Sequence, residues 1–416
     1  MHYVLLFSFY FTLLSFVLTR LLNRSGMGIS SKVGIVLFAF KVALGCAYGY
    51  IFLQYYAGDD PWKFYLDSLP QYQRLIDHPI AFFADLSPRS SFEKADNFVQ
   101  GWSSYLKELE YLLMVKFLAI CDLFSRKNYY IDILFFDFLV FLGPVLLYKL
   151  LIASFPAKTG PLLICVFLIP SITFWISGIR AEGLLLLFLS LILYYANQWL
   201  KHRQFLSLCW ILAGLGGALI FRGQFLLAFL PALLGWLLSY KKPQRSAYFF
   251  AAVYLVCLIL FCGSLLLSTE NNLASPLIQR QKEFLDLHGN TRLPLDPLQP
   301  SISSFIHGFP QAFSNVFFRP FVWEAKGILQ VATAVELMGI GLLLLLVILF
   351  PEKDLRQVWL NPLVLLLLSF GLSQILLIGY VVPFPGAIVR YKAIPELFLV
   401  ISMSLAINWK KIFKLK

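Results

Sequence analysis

Long, almost uncharged apolar runs recur along the whole chain and restrict what it can fold into. Two of the clearest are residues 247–268 and 328–350. At about 1.5 Å per residue, a helix of that length crosses a hydrocarbon layer of roughly 30 Å. Hydrophobic residues make up 59% of the 416 residues and charged residues only 13%, against roughly 45–50% and about 25% in soluble domains. We therefore expect an integral membrane protein.

Hydropathy predicts an all-α polytopic protein with about eleven transmembrane helices. Two long polar segments, residues 57–130 and 269–327, interrupt the series, and we expect both to carry interfacial helices. The chain as a whole, 1–416, is expected to form a single transmembrane domain. The predicted spans are residues 3–20, 33–56, 131–155, 161–177, 181–199, 205–220, 222–240, 246–268, 328–350, 358–381 and 386–407.

Residues 109–124 are apolar enough to resemble a further span. The stretch is short and contains Lys116, and its insertion would invert every later loop. We interpret it as an interfacial helix on the outer leaflet.

The charges of the loops predict the orientation, because Lys and Arg in short loops are retained on the cytoplasmic side. One side carries 16 basic residues against two acidic ones, Glu352 and Asp354, whereas the other carries 17 basic and 16 acidic residues. We expect both long loops to be extracytoplasmic. The 16 residues are Arg20, Arg24, Lys32, Lys149, Lys158, Lys201, Arg203, Lys241, Lys242, Arg245, Lys353, Arg356, Lys410, Lys411, Lys414 and Lys416.

The sequence lacks the motifs that are typical of several classes of function. The net charge of +12 is spread over short loops rather than over one basic domain, so no nucleic-acid partner is expected. The six cysteines form no CxxC pair and the five histidines form no HExxH pattern, so a zinc site is not expected either. Walker and Rossmann glycine patterns are also missing from the sequence.

An acidic pair follows the second predicted span, in Gly58-Asp59-Asp60-Pro61. Adjacent carboxylates in such a turn at a membrane surface can take a proton from an incoming hydroxyl group. They can also bind a divalent cation through oxygen ligands, which is the one cofactor that the sequence allows for. The structural alternative is an acidic turn that merely ends a helix.

Several charged residues lie on the same predicted outer face as the acidic pair. Charges so close to hydrocarbon are costly unless they are paired, hydrated or bound to a ligand. Guanidinium groups suit bidentate binding of phosphate, and a lipid-linked phosphate presents its headgroup at this depth. Snorkelling or salt-bridging structural residues are the alternative. The predicted phosphate-binding residues are Arg180, Arg222, Arg390 and Lys392, and the predicted supporting residues are Glu182, Arg319, Glu324 and Tyr391.

Other ionisable residues fall inside predicted spans, where charge needs a partner. Glu396 follows Lys392 by four residues, which predicts an i,i+4 ion pair on one helix face. The remaining residues of this kind are Lys41, Asp132, Asp137 and Glu336.

Three segments resemble the membrane glycosyltransferases of the GT-C superfamily, including bacterial relatives of protein mannosyltransferases. They are Gly58-Asp59-Asp60, residues 174–183 (FWISGIRAEG) and residues 386–392 (GAIVRYK). The resemblance implies that Asp59 or Asp60 is the catalytic base or a metal contact. It also implies that Arg390, with Arg180 or Arg222, binds the phosphate of a polyprenyl-linked sugar. One departure is that the large loop follows the second span rather than the first, which an additional N-terminal helix would explain.

The function implied by this resemblance is transfer of a sugar from a polyprenyl-phosphate-linked donor to a glycan, lipid or protein acceptor. The resemblance also implies a multi-pass protein of the bacterial inner (cytoplasmic) membrane, with the active site facing the periplasm or exterior. An O-antigen-type polysaccharide polymerase or ligase is an alternative that would not need the acidic pair. A lipid or saccharide transporter is a further alternative, for which inverted repeats and polar residues reached from both sides are typical. The outward bias of the charged residues favours the glycosyltransferase over the transporter.

The predicted orientation can be tested by labelling single cysteines in a background that lacks the native ones. Because the basic excess should keep the C-terminus in the cytoplasm, Lys416→Cys should react with a membrane-impermeant thiol reagent only in permeabilised cells. Ser90→Cys should react in intact cells. Labelling of position 416 but not of position 90 from outside would invert the topology.

Overall fold

The structure is a computed structural model that describes residues 2–26, 28–85, 98–266, 272–287, 292–319, 321–324 and 328–414. These residues form α-helices joined by turns and short 3-10 helices, and no β-strand occurs within the described ranges. The predicted all-α class is therefore confirmed. Part of each long loop, and the labelling positions Ser90 and Lys416, lie outside the described residues.

The chain divides into two compact units. The first comprises Met1–Thr159 and Val166–Leu226, and the second comprises Gly160–Cys165 and Leu227–Lys416. In chain order the helices are α1 (His2–Ser25), α2 (Ser31–Tyr55), α3 (Asp59–Asp77), α4 (Pro79–Ala84), α5 (Phe98–Ser125), α6 (Tyr129–Ser154), α7 (Thr159–Phe167), α8 (Pro170–Trp175), α9 (Ala181–His202), α10 (Phe205–Ser239), α11 (Ser246–Ser264), α12 (Ser275–Leu285), α13 (Ile302–Phe317), α14 (Ile328–Leu349), α15 (Leu355–Trp359), α16 (Pro362–Val381), α17 (Pro385–Ala406) and α18 (Trp409–Lys414).

Eight helices in the described part of the chain are long and apolar enough to cross a membrane, so the chain is a multi-pass membrane protein. They are α1, α2, α6, α9, α10, α11, α14 and α16. The predicted number of eleven is not confirmed. The helix that matches the last predicted span, α17, is not among the eight because it carries Arg390, Lys392 and Glu396.

Local backbone chemistry explains two further differences from the predicted spans. The predicted span 161–177 is divided into α7 and α8, because Pro170 cannot continue a helix and keeps Ile169 extended (φ −76°, ψ 111°). The predicted spans 205–220 and 222–240 together form α10, whose backbone is non-helical at Arg222 (φ −155°, ψ 64°). Arg222 thus lies at the junction that the sequence predicted.

The segment predicted as an interfacial helix is part of a longer one. Helix α5 extends over Phe98–Ser125 and is not among the eight candidate spans. It packs along α3 and also contacts α6. Its buried residues Met114 and Leu118 belong to the apolar core of the first unit, so α5 is anchored by side-chain packing within that unit.

Close helix packing holds α6 and α9 together at the centre of the first unit. A Cβ atom on Gly143 would lie 2.8 Å from Cα of Leu187, which leaves no room for a side chain. Small residues allow helix backbones in membranes to approach each other in this way. The second unit is centred on α16 and α17, where the ring of Phe370 contacts Phe229 and Phe398.

We expect Gly143→Ala to destabilise the protein by about 1–3 kcal/mol, because the added methyl group must push the α9 backbone away. Thermal unfolding of the purified protein in detergent would measure the change. The matched control is Gly216→Ala, since no atom lies within 4 Å of the corresponding Cβ position. A melting temperature lowered equally in both variants would contradict the close α6–α9 contact.

Candidate functional site

The acidic pair lies at the start of α3, directly after the turn that leaves α2. Ala57, Gly58 and Asp59 all have positive φ angles, of 51°, 88° and 46°. A Cβ atom on Gly58 would lie 2.8 Å from Cβ of Trp62, so glycine is the residue that fits this left-handed turn. Both carboxylates are in the first turn of α3, where the helix dipole stabilises negative charge.

Trp62 links the turn at the start of α3 to two other helices of the first unit. Its indole Nε1 donates a hydrogen bond to the carbonyl oxygen of Gly49 at 2.9 Å. Its ring stacks on Tyr129 with the ring centroids 4.0 Å apart and an interplanar angle of 14°. Because Gly49 belongs to α2 and Tyr129 begins α6, the start of α3 is held by both long helices.

Arg180, the N-cap residue of α9, meets the acidic pair. Its Nη1 donates to Oδ2 of Asp60 at 2.8 Å, and its Nη2 donates to Oδ2 of Asp59. The arginine side chain is 3% exposed, whereas the side chains of Asp59 and Asp60 are 40% and 55% exposed. A buried cation therefore holds two carboxylates that the rest of the chain leaves partly uncovered.

Two aromatic rings of α2 accompany this arginine. The Cζ atom of Arg180 lies 5.9 Å from the ring centroid of Tyr48 and 5.4 Å from that of Phe52. Rings at such distances attract a guanidinium group through their negative faces. The structure thus brings together three residues that the sequence marked, but the anion that Arg180 meets is the acidic pair itself.

A second basic residue of the first unit, Arg222, pairs with two carboxylates. Its Nη1 lies 2.6 Å from Oε1 of Glu110, and its Nη2 lies 3.4 Å from Oε1 of Glu182. The Glu182 side chain is buried and stands two residues after Arg180, so it joins the two ion-pair groups. We call Asp59, Asp60, Arg180, Glu182, Arg222 and Glu110 the outer charge cluster.

Glu110 is the member of the outer charge cluster that sequence reasoning missed. It lies within the stretch interpreted as an interfacial helix, and the one available signal was a carboxylate beside a long apolar run. Burial raises the pKa of Glu110, Arg222 acts in the opposite direction, and Glu182 and Asp60 raise it further. The cluster as a whole brings four carboxyl groups together with two guanidinium groups.

A buried ion pair lies beneath the turn that carries Arg180. The Nζ atom of Lys41 is 3.3 Å from Oδ1 of Asp137. The same ammonium group donates to the carbonyl oxygen of Ile176 at 2.8 Å and to Oγ of Ser177 at 3.1 Å. The sequence marked Lys41 and Asp137 as intramembrane charges, and the structure identifies them as partners that tie the 176–180 turn to α2 and α6.

One face of α2 supports the 176–180 turn. Lys41, Gly45, Tyr48 and Phe52 follow one another at spacings of four, three and four residues, which places them on the same side of a helix. A Cβ atom on Gly45 would lie 2.9 Å from the carbonyl oxygen of Ser177, so the turn approaches the α2 backbone closely. The position of Arg180 is thus determined by α2.

The predicted residues of the second unit form contacts of their own. Lys392 Nζ lies 3.3 Å from Oε2 of Glu396, which confirms the predicted i,i+4 pair. Arg390 donates to the hydroxyl of Tyr391 at 2.9 Å, with its guanidinium carbon 4.7 Å from the Tyr391 ring centroid. Near the start of α14, Arg319 Nη1 lies 3.8 Å from Oε1 of Glu324.

A protein-built metal site is not evident at the acidic pair. Among the described residues, no group of three or more His, Cys, Asp and Glu side chains is arranged to hold a metal ion. Asp59 and Asp60 each give one carboxylate oxygen to Arg180. Two carboxylates already engaged by a cation do not make a complete oxygen cage, so we derive no step through a metal.

Comparison of the chain with protein-family models, with curated proteins and with solved structures finds no match. The geometry of the outer charge cluster is therefore the feature of the protein that points to a function.

We expect Lys41→Met to destabilise the protein by about 3–5 kcal/mol, because it leaves the buried Asp137 carboxylate without its cation. The double variant Lys41→Met with Asp137→Leu should recover most of that loss, since it removes both charges. Thermal unfolding of the two variants in detergent would measure both changes in stability. If the double variant were as unstable as the single one, the hydrogen bonds from Lys41 to the turn would matter more than the charge pairing.

Proposed function

We propose that the protein is a membrane glycosyltransferase that moves a sugar from a polyprenyl-phosphate-linked donor to an acceptor hydroxyl group. The reaction would take place on the extracytoplasmic face of a bacterial inner membrane. Asp59 or Asp60 is the catalytic base in this proposal. The other eight residues of the predicted set keep the predicted roles described below.

The observation that carries the proposal is the pairing of Arg180 with Asp59 and Asp60. The arginine is buried, and the carboxylates it holds are exposed at the start of α3. Each carboxylate keeps one oxygen beyond the one that accepts from Arg180. A carboxylate that is held in place by a buried cation and left uncovered by the rest of the chain has the position that a general base needs in order to meet an acceptor hydroxyl.

The proposed sugar transfer needs no ATP, because the donor itself supplies the leaving group. The acceptor oxygen forms a bond to C1 of the donor sugar, and its proton passes to a carboxylate oxygen of Asp59 or Asp60. The bond between C1 and the phosphate oxygen breaks, and its electron pair leaves with the polyprenyl phosphate. A guanidinium group near that oxygen would stabilise the developing negative charge.

The outer charge cluster limits which basic residue can take this last role. Arg180 is engaged by the acidic pair, which suits it to positioning the base. Arg222 is partly exposed and shares its charge between Glu110 and Glu182, so it can turn toward a phosphate by giving up one of two carboxylates. Phosphate binding by Arg390 and Lys392 stays a prediction, with Glu182, Arg319, Glu324 and Tyr391 as supporting residues.

We expect Asp→Asn at the true base to lower sugar transfer by roughly 10²–10⁴-fold, the usual contribution of a general base. Asp59→Asn and Asp60→Asn would be compared in purified protein supplied with labelled polyprenyl-phosphate sugars. Melting temperatures should stay close to that of the unmodified protein, because either variant keeps one carboxylate for Arg180.

The matched control is Asp77→Asn, the same change at the exposed end of the same helix, which should leave transfer unchanged. Near-native sugar transfer by both Asn variants would show that the acidic pair only forms the turn at the start of α3. The polymerase or ligase alternative, which needs no such pair, would then be favoured.

A further inference from the structure

A pair of buried carboxyl groups joins α5 to α6, apart from the outer charge cluster. Asp122 lies near the end of α5 and Asp132 lies in the first turn of α6, and both side chains are fully buried. The two carboxyl groups are hydrogen-bond partners of each other. Neither residue takes part in the proposed sugar transfer.

Two serine hydroxyl groups flank the carboxyl pair. Oγ of Ser68, in α3, donates a hydrogen bond to Oδ2 of Asp122 at 2.9 Å. Ser125, at the end of α5, is hydrogen-bonded to Asp132. Both serine side chains are also fully buried. Helices α3, α5 and α6 therefore meet here through four buried polar side chains.

A direct contact between two carboxyl groups requires a proton. Two ionised carboxylates in contact repel each other, and the repulsion is strong in a buried site because little water screens it. The rest of the chain covers Oδ1 of Asp122 and both carboxyl oxygens of Asp132. A hydrogen bond between the two groups therefore forms only when one of them is protonated and donates to the other.

The surroundings of the pair compensate for one negative charge but not for two. Burial raises the pKa of Asp122, whereas hydrogen bonds from Ser68 and Asp132 and the ammonium group of Lys127 act in the opposite direction. Within the described residues, Asp122 and Ser125 are the groups that act on the charge of Asp132, and neither is a cation. The first turn of α6 adds only a partial positive charge.

We infer that Asp122 and Asp132 share a single proton, and that this proton holds the start of α6 against α3 and α5. Asp132 carries the proton and donates it to the Asp122 carboxylate, which also accepts from Ser68. Loss of the proton leaves two adjacent carboxylates that repel each other, so the contact opens. Because α3 and α5 also supply carboxyl groups to the outer charge cluster, the same proton links the helices of that cluster to α6.

Other titratable groups near the pair do not produce the same pH dependence. Tyr65 of α3 and Cys121 of α5 interact with both carboxyl groups. Burial and these carboxyl groups raise the pKa of Tyr65 to about 12 and also raise that of Cys121, so neither ionises between pH 6 and pH 9. His2 of α1 lies 2.7 Å from Arg126 in the turn before α6, and an Asn substitution in the pair leaves that contact unchanged.

Thermal unfolding of the full-length protein in a neutral detergent between pH 6 and pH 9 tests the inference. A pair that keeps its proton only in the folded protein loses stability as the pH rises, because the folded state then binds more protons than the unfolded chain. Asp132→Asn keeps a neutral group that can donate to Asp122 at every pH. The Tm of the unmodified protein should therefore fall relative to that of Asp132→Asn by about 2 °C or more across this range. The matched control is Asp77→Asn, an exposed carboxylate of α3, which should keep the pH profile of the unmodified protein.

Infrared spectroscopy detects the shared proton directly. The difference spectrum between the unmodified protein and Asp132→Asn at pH 6 should contain the carbonyl band of a protonated carboxylic acid. Asp122→Asn should remove the same band, because its amide can donate to an ionised Asp132. This second variant tests the pair even if Asp132→Asn does not fold.

Two results would overturn the shared proton. One is a set of parallel pH profiles for the unmodified protein and both Asn variants, with no acid band in either difference spectrum. The other is a Tm of the unmodified protein that falls with pH only when sodium and calcium ions are replaced by choline. That result would show that a metal cation, rather than a proton, holds the two carboxylates together.

Discussion

The buried ion pair between Lys41 and Asp137 is the contact on which the outer charge cluster depends. Both side chains lie in long apolar helices, where an isolated charge would be too costly to keep. Their pairing leaves the lysine two hydrogen bonds to give, and it gives them to Ile176 and Ser177. The turn held in this way presents Arg180, and Arg180 in turn holds Asp59 and Asp60.

The same need to pair buried charge shapes the outer charge cluster. Its two basic side chains, Arg180 and Arg222, meet carboxylates of α3, of α5 and of the first turn of α9. Near the other end of α9, Tyr194 instead lies beside a basic residue of α6, with its ring centroid 5.1 Å from Nζ of Lys149.

Much of the fold could be predicted because hydrophobicity is a local property. Apolar runs indicated the long helices, and α2, α6 and α9 begin or end within a few residues of the predicted bounds. The interruptions of the helices, in contrast, depended on single residues. The effect of Pro170 could have been anticipated. Hydropathy did place a junction next to Arg222, but it predicted two separate spans rather than one helix with a single non-helical residue, because arginine is itself compatible with a regular helix.

The sequence by itself determined that this chain is a membrane protein whose helices pack through apolar surfaces. It also showed that Asp59, Asp60, Arg180 and Arg222 are charged residues at positions close to hydrocarbon, where charge is unusual. Only the tertiary structure decided which charge meets which. Glu110 lies 112 residues from Arg222, and Lys41 lies 135 residues from Ile176. Such pairings depend on how helices rotate and approach one another, which is set by close contacts such as Gly143 against Leu187. Periodicity along the chain carries no information about those contacts.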